Sequence, residues 1–158
     1  MNAAIVCVGR LKEKYFSGAA EEYTKRLSRY GRFEIIELPD LPEPANASDA
    51  DRRQVIEKEG ENILARLKPN DYVIAMCIDG PQFTSEAFAE KIAANDQRGT
   101  RLVFVIGGSL GLSPAVVKRA DEKLSLSKMT FPHQLARVLL LEQIYRSCKI
   151  NAGERYHK

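Results

Sequence analysis

Residues 102–114 read LVFVIGGSLGLSP. The run Leu102–Ile106 has no polar position and is β-branched at Val103, Val105 and Ile106. Such a run predicts a strand covered on both faces, as the inner strands of parallel sheets are. It ends on Gly107 and Gly108, and Ser113-Pro114 then opens a helix in the favoured order, cap first and proline at the first helical position. A buried strand that passes through a glycine turn into a helix is the repeating unit of an α/β fold.

The same unit recurs outward from this point. Residues 72–78 (YVIAMCI) predict a second two-sided strand, followed by the turn DGPQF and a helix capped by Thr84 or Ser85 and running through Ala94. Further back, residues 3–8 (AAIVCV) and 33–38 (FEIIEL) read as strands. Between them Phe16, Ala19, Tyr23, Leu27 and Tyr30 recur at spacings of three and four, one stripe of a helix. The segment PDLPEPANAS holds three prolines and predicts a loop. A helix capped by Asp49 or Asp51 follows, with Val55, Ile63, Leu64 and Leu67 on its apolar side. On the C-terminal side, KLSLSKMTF predicts a short strand or extended segment, and Pro132 starts a long helix that ends near Ile150. Strands alternating with helices predict a largely parallel sheet with helices on both faces. No linker or repeat divides residues 1–158, which read as a single domain.

With 44% apolar and 28% charged residues the composition is that of a globular chain. The formal charge of +3 is too small to hold nucleic acid by charge alone, so an RNA partner requires a local basic surface. The apolar segments are too short to span a bilayer and the N-terminus lacks a signal-peptide core, which places the expected protein in the cytoplasm. Cys7, Cys77 and Cys148 lie in apolar runs without metal-ligand spacing and read as buried thiols. His133 and His157 are the only histidines and stand in unrelated contexts, so no zinc site is expected.

Three stretches carry chemistry. IGGSLG (106–111) ends a buried strand, where glycines let the backbone approach a ligand and where α/β sheets bind theirs. It lacks the spacing of a dinucleotide fingerprint and the lysine of a phosphate loop, and a plain glycine turn stays open as its reading. LSLSKMTFPHQLAR (124–137) suits bracketing a flat heterocycle between apolar side chains and backbone, while periodicity alone favours an edge strand whose Leu124, Leu126 and Met129 are core. The end of the chain sets Arg146, Lys149, Arg155 and Lys158 among Tyr145 and Tyr156, a pattern fit for phosphates and unstacked bases or for a solvated chain end.

Taken together, IVCVGRLKEKYF (5–16), YVIAMCIDG (72–80), VFVIGGSLGLS (103–113), LSLSKMTFPHQLARVLLLEQIYRSCKI (124–150) and GERYHK (153–158) resemble one family over essentially the whole chain. It is the family of small SPOUT-class methyltransferases that act on N3 of a pseudouridine in large-subunit ribosomal RNA. The resemblance implies a parallel sheet closed by a C-terminal trefoil knot, with S-adenosylmethionine held bent in the pocket so formed. The family's cofactor contacts fall on Met76, Gly107, Gly108, Leu126, Ser127, Lys128, Met129, Thr130 and Phe131. Met76 replaces a common leucine at nearly constant volume.

The resemblance further implies a homodimer through the C-terminal helix, where Val138, Leu139, Leu140 and Leu141 cannot all face one core. The basic tail of one copy then reaches the pocket of the other. A sulfonium methyl donor needs no metal, and the imide proton at N3 asks for a base, for which His157 is the candidate, with Tyr156 and Arg155 orienting base or phosphate. The expected activity is S-adenosylmethionine-dependent methylation of that pseudouridine in 23S ribosomal RNA, on the assembled ribosome. A non-catalytic RNA- or ribosome-binding module of the same fold, or a nucleotide-binding α/β regulator, are the competing readings.

Overall fold

The computed structural model describes residues 1–158. Five strands, β1 (Asn2–Val8), β2 (Arg32–Leu38), β3 (Tyr72–Met76), β4 (Leu102–Ile106) and β5 (Glu122–Leu124), form one sheet in the order β2-β1-β4-β3-β5. Every neighbouring pair runs parallel. The helices are α1 (Lys14–Leu27), α2 (Asp49–Leu64), α3 (Ser85–Arg98), α4 (Pro114–Arg119) and α5 (His133–Asn151).

Alternation along the strands separates two cores. Ala3, Ile5, Cys7, Ile74 and Phe104 face α1, α3 and α5, meeting Leu27, Phe88, Ile92, Leu140 and Ile144. Their neighbours Val6, Val8, Val73, Val103 and Val105 face the other way onto Ile63 of α2 and Val116 of α4. The sheet is therefore covered on both faces, which is why the inner strands read as unbroken apolar runs. α2 and α4 approach so closely that a Cβ on Gly60 would sit 2.2 Å from Ser113 Oγ.

Local details refine the sequence reading. Ser48, rather than Asp49 or Asp51, caps α2: its hydroxyl accepts from the Asp51 N–H at 3.2 Å while the Asp51 carboxylate takes the Ser48 N–H at 2.9 Å, a reciprocal capping box. Thr84 and Ser113 cap α3 and α4. α3 continues past Ala94 to Arg98, where Gly99 at φ +70° ends it, and Leu67 lies beyond α2. β3 stops at Met76 instead of residue 78, because Gly80 turns back and donates to the Cys77 carbonyl at 3.1 Å.

At the amino ends of the inner strands, Arg101 grips Asp71 with two bonds of 2.9 and 2.6 Å. Burial pushes the Asp71 carboxyl up, but Arg101 outweighs this and its pKa lies below the ordinary value.

α5 begins far from β5. Arg137, 1% exposed, donates to the Gly9 carbonyl at 2.8 Å and to Glu37 at 2.7 Å, fixing the first turns of α5 over the ends of β1 and β2. Because β5 is the opposite edge of the sheet, residues 125–132 must cross the ends of β3 and β4 to reach that point.

Candidate functional site

The carboxyl ends of β3, β4 and β5 enclose a cavity of about 820 Å³. Its walls are residues 76–79 after β3, residues 106–112 after β4, and the crossing segment from Lys123 through His133 and Ala136. Cavities of this size at the carboxyl edge of parallel strands are where α/β proteins hold small ligands.

Two of the three walls are stitched together by backbone. Cys77 N–H donates to the Leu124 carbonyl at 2.9 Å and Ser125 N–H to the Pro81 carbonyl at 2.9 Å. A Cβ on Gly80 would meet Leu124 backbone at 2.9 Å, so glycine is needed for this approach. In the crossing segment Ser125 Oγ donates to the Ser127 carbonyl at 2.8 Å, and the Met129 N–H donates to Ser127 Oγ at 3.0 Å. The N–H groups of Leu126, Thr130 and Phe131 donate to no other atom of the chain. Three N–H groups without a partner in the chain thus belong to residues that line the cavity together with Met76 and Met129, a combination suited to a flat heterocycle with acceptor nitrogens.

The glycine turn of the second wall is closed by Gly111 N–H donating to the Gly108 carbonyl at 3.1 Å. Gly111 sits at φ +87° with nothing within 4 Å of where a Cβ would be. A Cβ on Gly107 would lie 2.8 Å from the backbone of Gly111. Gly107 is therefore required by the turn's own packing, whether or not a ligand also approaches it. Under Gly108, a Cβ would meet Glu59 Oε2 at 3.1 Å and Val8 at 3.2 Å. Glu59 is 3% exposed, its Oε2 has no partner, and burial followed by the charge of Asp40 pushes its pKa up.

Of the residues assigned to the cofactor from sequence, Met76, Gly107, Gly108, Leu126, Ser127, Met129, Thr130 and Phe131 all line this cavity. Lys128 is exposed and is not part of its lining. Cys77 also departs from the expected buried thiol: it is half-buried on the cavity wall, with burial and then Asp79 raising its pKa, while Cys7 and Cys148 are buried and raised to about 11. His133, the first residue of α5, lines the cavity as well. Glu59 was missed, although it stands midway between Val55 and Ile63 on the apolar stripe of α2.

A second cavity of about 310 Å³ lies between the start of α3 and α5, lined by Phe83, Phe88, Leu139 and Gln143 and sharing Leu126 and Phe131 with the first.

The tail is docked on α5 and the start of α3. Tyr156 packs edge-on against Tyr145 with centroids 5.0 Å apart, lies under the Arg146 guanidinium at 4.7 Å and donates to Glu142 at 3.2 Å. Burial, then Tyr23 and Glu142, push its phenol up to about 12. Arg146 is held twice by Glu142, at 3.0 and 2.6 Å, and its Nη1 lies 3.2 Å from His157 Nδ1. Because a guanidinium only donates, Nδ1 is the acceptor, and Nε2 carries the proton to Glu86 at 2.7 Å. Arg155 is exposed. None of Arg155, Tyr156 and His157 reaches the wall of its own chain's cavity.

No three His, Cys, Asp or Glu side chains converge as a metal site, and no helix is long and apolar enough to cross a membrane.

Comparison with known proteins matches residues 1–157 to the family model described as "Predicted SPOUT methyltransferase". Ribosomal RNA large subunit methyltransferase H of Clostridium novyi (strain NT) is 57% identical over 159 aligned positions, covering 100% of both chains. The protein of the same name from Bifidobacterium animalis subsp. lactis (strain AD011) is 55% identical, again over 100% of both. Among solved structures, a "probable methylase family protein" from Haemophilus influenzae Rd KW20 superposes with a TM-score of 0.55 over 99% of this chain and 70% of its own, at 13% identity, a likeness of fold.

Proposed function

This chain belongs to the SPOUT methyltransferase family, and on that basis we propose that it transfers a methyl group from S-adenosylmethionine to N3 of a pseudouridine in large-subunit ribosomal RNA, with the assembled ribosome as substrate. The observation that carries this reading is identity of 55–57% over the full length of relatives named for methylating large-subunit ribosomal RNA.

The cavity at the ends of β3, β4 and β5 suits the methyl donor. Met76, Leu126 and Phe131 would wall the adenine, and the N–H groups of Leu126, Thr130 and Phe131 would be available to its ring nitrogens. When bound, the donor supplies a methyl group already activated on a sulfonium. What remains for the protein is to hold the nucleobase in line and to remove the imide proton.

His157 takes that proton, while Tyr156 anchors the tail and Arg155 meets the RNA. In the docked tail the lone pair of His157 Nδ1 is engaged by Arg146. Basic function therefore requires Arg146 to release it as RNA binds. Because the tail lies away from its own chain's cavity, catalysis also requires a second copy. A homodimer through the half-exposed residues Leu135, Val138 and Leu139 of α5 brings one tail to the other cavity. Exposed Ile78 and Met129 beside the cavity fit such cover. The same reading includes the trefoil knot, and the crossing of residues 125–132 over β3 and β4 supports it.

Titration calorimetry tests the cofactor half of this proposal. Saturable binding of S-adenosylmethionine and none of ATP is expected. Binding of ATP without S-adenosylmethionine would favour a nucleotide-binding regulator instead.

A further inference from the structure

The cavity uses the loops that follow β3, β4 and β5, yet the loop after β1 emerges at the same edge of the sheet. The two are contiguous: a Cβ on Gly9 would lie 3.7 Å from Nε2 of His133, which is itself a cavity residue. Leu11 packs on the core beneath α1, while Arg10 and Lys12 on either side of it, and Lys14 beyond, are exposed. None of these three cations has a carboxylate within 4.0 Å. Glu13 is the only acid in the segment, and Asp40 the acid nearest Gly9. Next in the chain, Tyr15 is 69% exposed and is held by Phe16, with rings 4.6 Å apart at 62°. On the crossing segment of the cavity, Lys128 is exposed and without an ion pair beside Met129, which is 74% exposed.

We infer that Arg10, Lys12, Lys14 and Tyr15 form a docking strip for an unpaired stretch of RNA, which continues from the methyl-donor cavity past His133. This rests on the proposed reaction at that cavity and adds where the substrate lies. Unneutralised cations meet phosphates, and an exposed ring braced by a neighbour is a platform on which a splayed base stacks. A weakly basic chain needs such a concentration, because its net charge does not supply the attraction. An acidic protein surface would use the cations equally, but it would leave the tyrosine ring unused.

The test uses the full-length protein and purified ribosomes. The combined change Arg10→Ala, Lys12→Ala, Lys14→Ala should weaken ribosome binding and flatten its salt dependence by roughly 0.7 in slope for each phosphate no longer neutralised. Tyr15→Ala should weaken binding roughly 5- to 150-fold, the range for one stacked base, and Tyr15→Phe should restore it. Arg53→Ala with Lys58→Ala, exposed cations on α2, should change neither affinity nor slope. Calorimetry with S-adenosylmethionine should be unchanged in all of them, which shows the fold intact. A photo-crosslinking benzoylphenylalanine in place of Tyr15 should then capture RNA. Equal losses in the α2 control, a wild-type slope in the triple variant, or a crosslink to ribosomal protein or to nothing would each overturn the strip. If ribosome binding depends on the strip while no methyl is transferred, the strip stands and the proposed reaction falls. If the triple variant methylates at the wild-type rate, the reaction stands and the strip falls.

Discussion

Glu59 stands where apolar residues are expected, on the stripe of α2 between Val55 and Ile63, and its buried carboxyl supports Gly108 from below. Its pKa is raised above the ordinary 4.5, so the folded chain keeps this proton to higher pH than the unfolded chain does. The associated stability is complete below pH 4.5 and is lost as pH rises through the folded value. Glu59→Gln should therefore flatten the fall in melting temperature above pH 4.5. Identical pH profiles for the two proteins would remove the buried carboxyl as their cause. Glu59 interrupts the apolar stripe of α2, a signal the sequence reading passed over, and only the fold shows that the interruption lies under the glycine turn. Gly107 differs in kind. Gly107→Ala sets a methyl group 2.8 Å from the Gly111 backbone, so the turn must open. Both S-adenosylmethionine affinity and thermal stability should fall, as overpacking typically costs about 1–3 kcal/mol. Wild-type affinity and melting temperature in that variant would contradict the packing described.

Helix α5 and the tail it carries decide whether one copy suffices. In the sequence Val138, Leu139, Leu140 and Leu141 cannot all face one core, and the fold divides them: Leu140 and Leu141 are buried, whereas Val138 and Leu139 keep exposed surface. Val138→Glu should give a monomer by light scattering that still binds S-adenosylmethionine and no longer transfers methyl. A wild-type protein that is monomeric at micromolar concentration would contradict the dimer. The tail, by contrast, was not legible as structure, because docking of Tyr156 depends on Tyr145, Glu142 and Arg146 of a helix turned toward it. Deleting Tyr156–Lys158 should leave cofactor affinity close to wild type while abolishing most methylation. Within the tail, His157→Ala should slow single-turnover methylation at saturating RNA by about 10²–10⁴-fold. An unchanged rate would leave positioning alone as the source of catalysis.

At the scale of the molecule, local pattern carried the element types and the two-sided strands, since an apolar run such as LVFVI has only one stable environment. Strand order was not legible, because nothing within a strand says which neighbour it takes after a crossover. That order is what sends residues 125–132 from one edge of the sheet across to Gly9 and so makes the crossing segment the cavity's third wall. Most of the cavity-lining residues were therefore reached through family resemblance, with spacing alone too weak to choose between ligand loop and plain turn. The buried Arg137, tied to Glu37 and the Gly9 carbonyl, escaped both routes and holds α5 in this course. The claim that unites sheet, cavity and tail is methyl transfer to ribosomal RNA. Its most direct test is incubation of ribosomes lacking the modification with the protein and S-adenosylmethionine labelled in its methyl group, followed by nucleoside analysis. The label is expected in large-subunit RNA as 3-methylpseudouridine, with ribosomes far better acceptors than free RNA. Saturable cofactor binding with no label in that RNA, or label in another nucleoside, would contradict it.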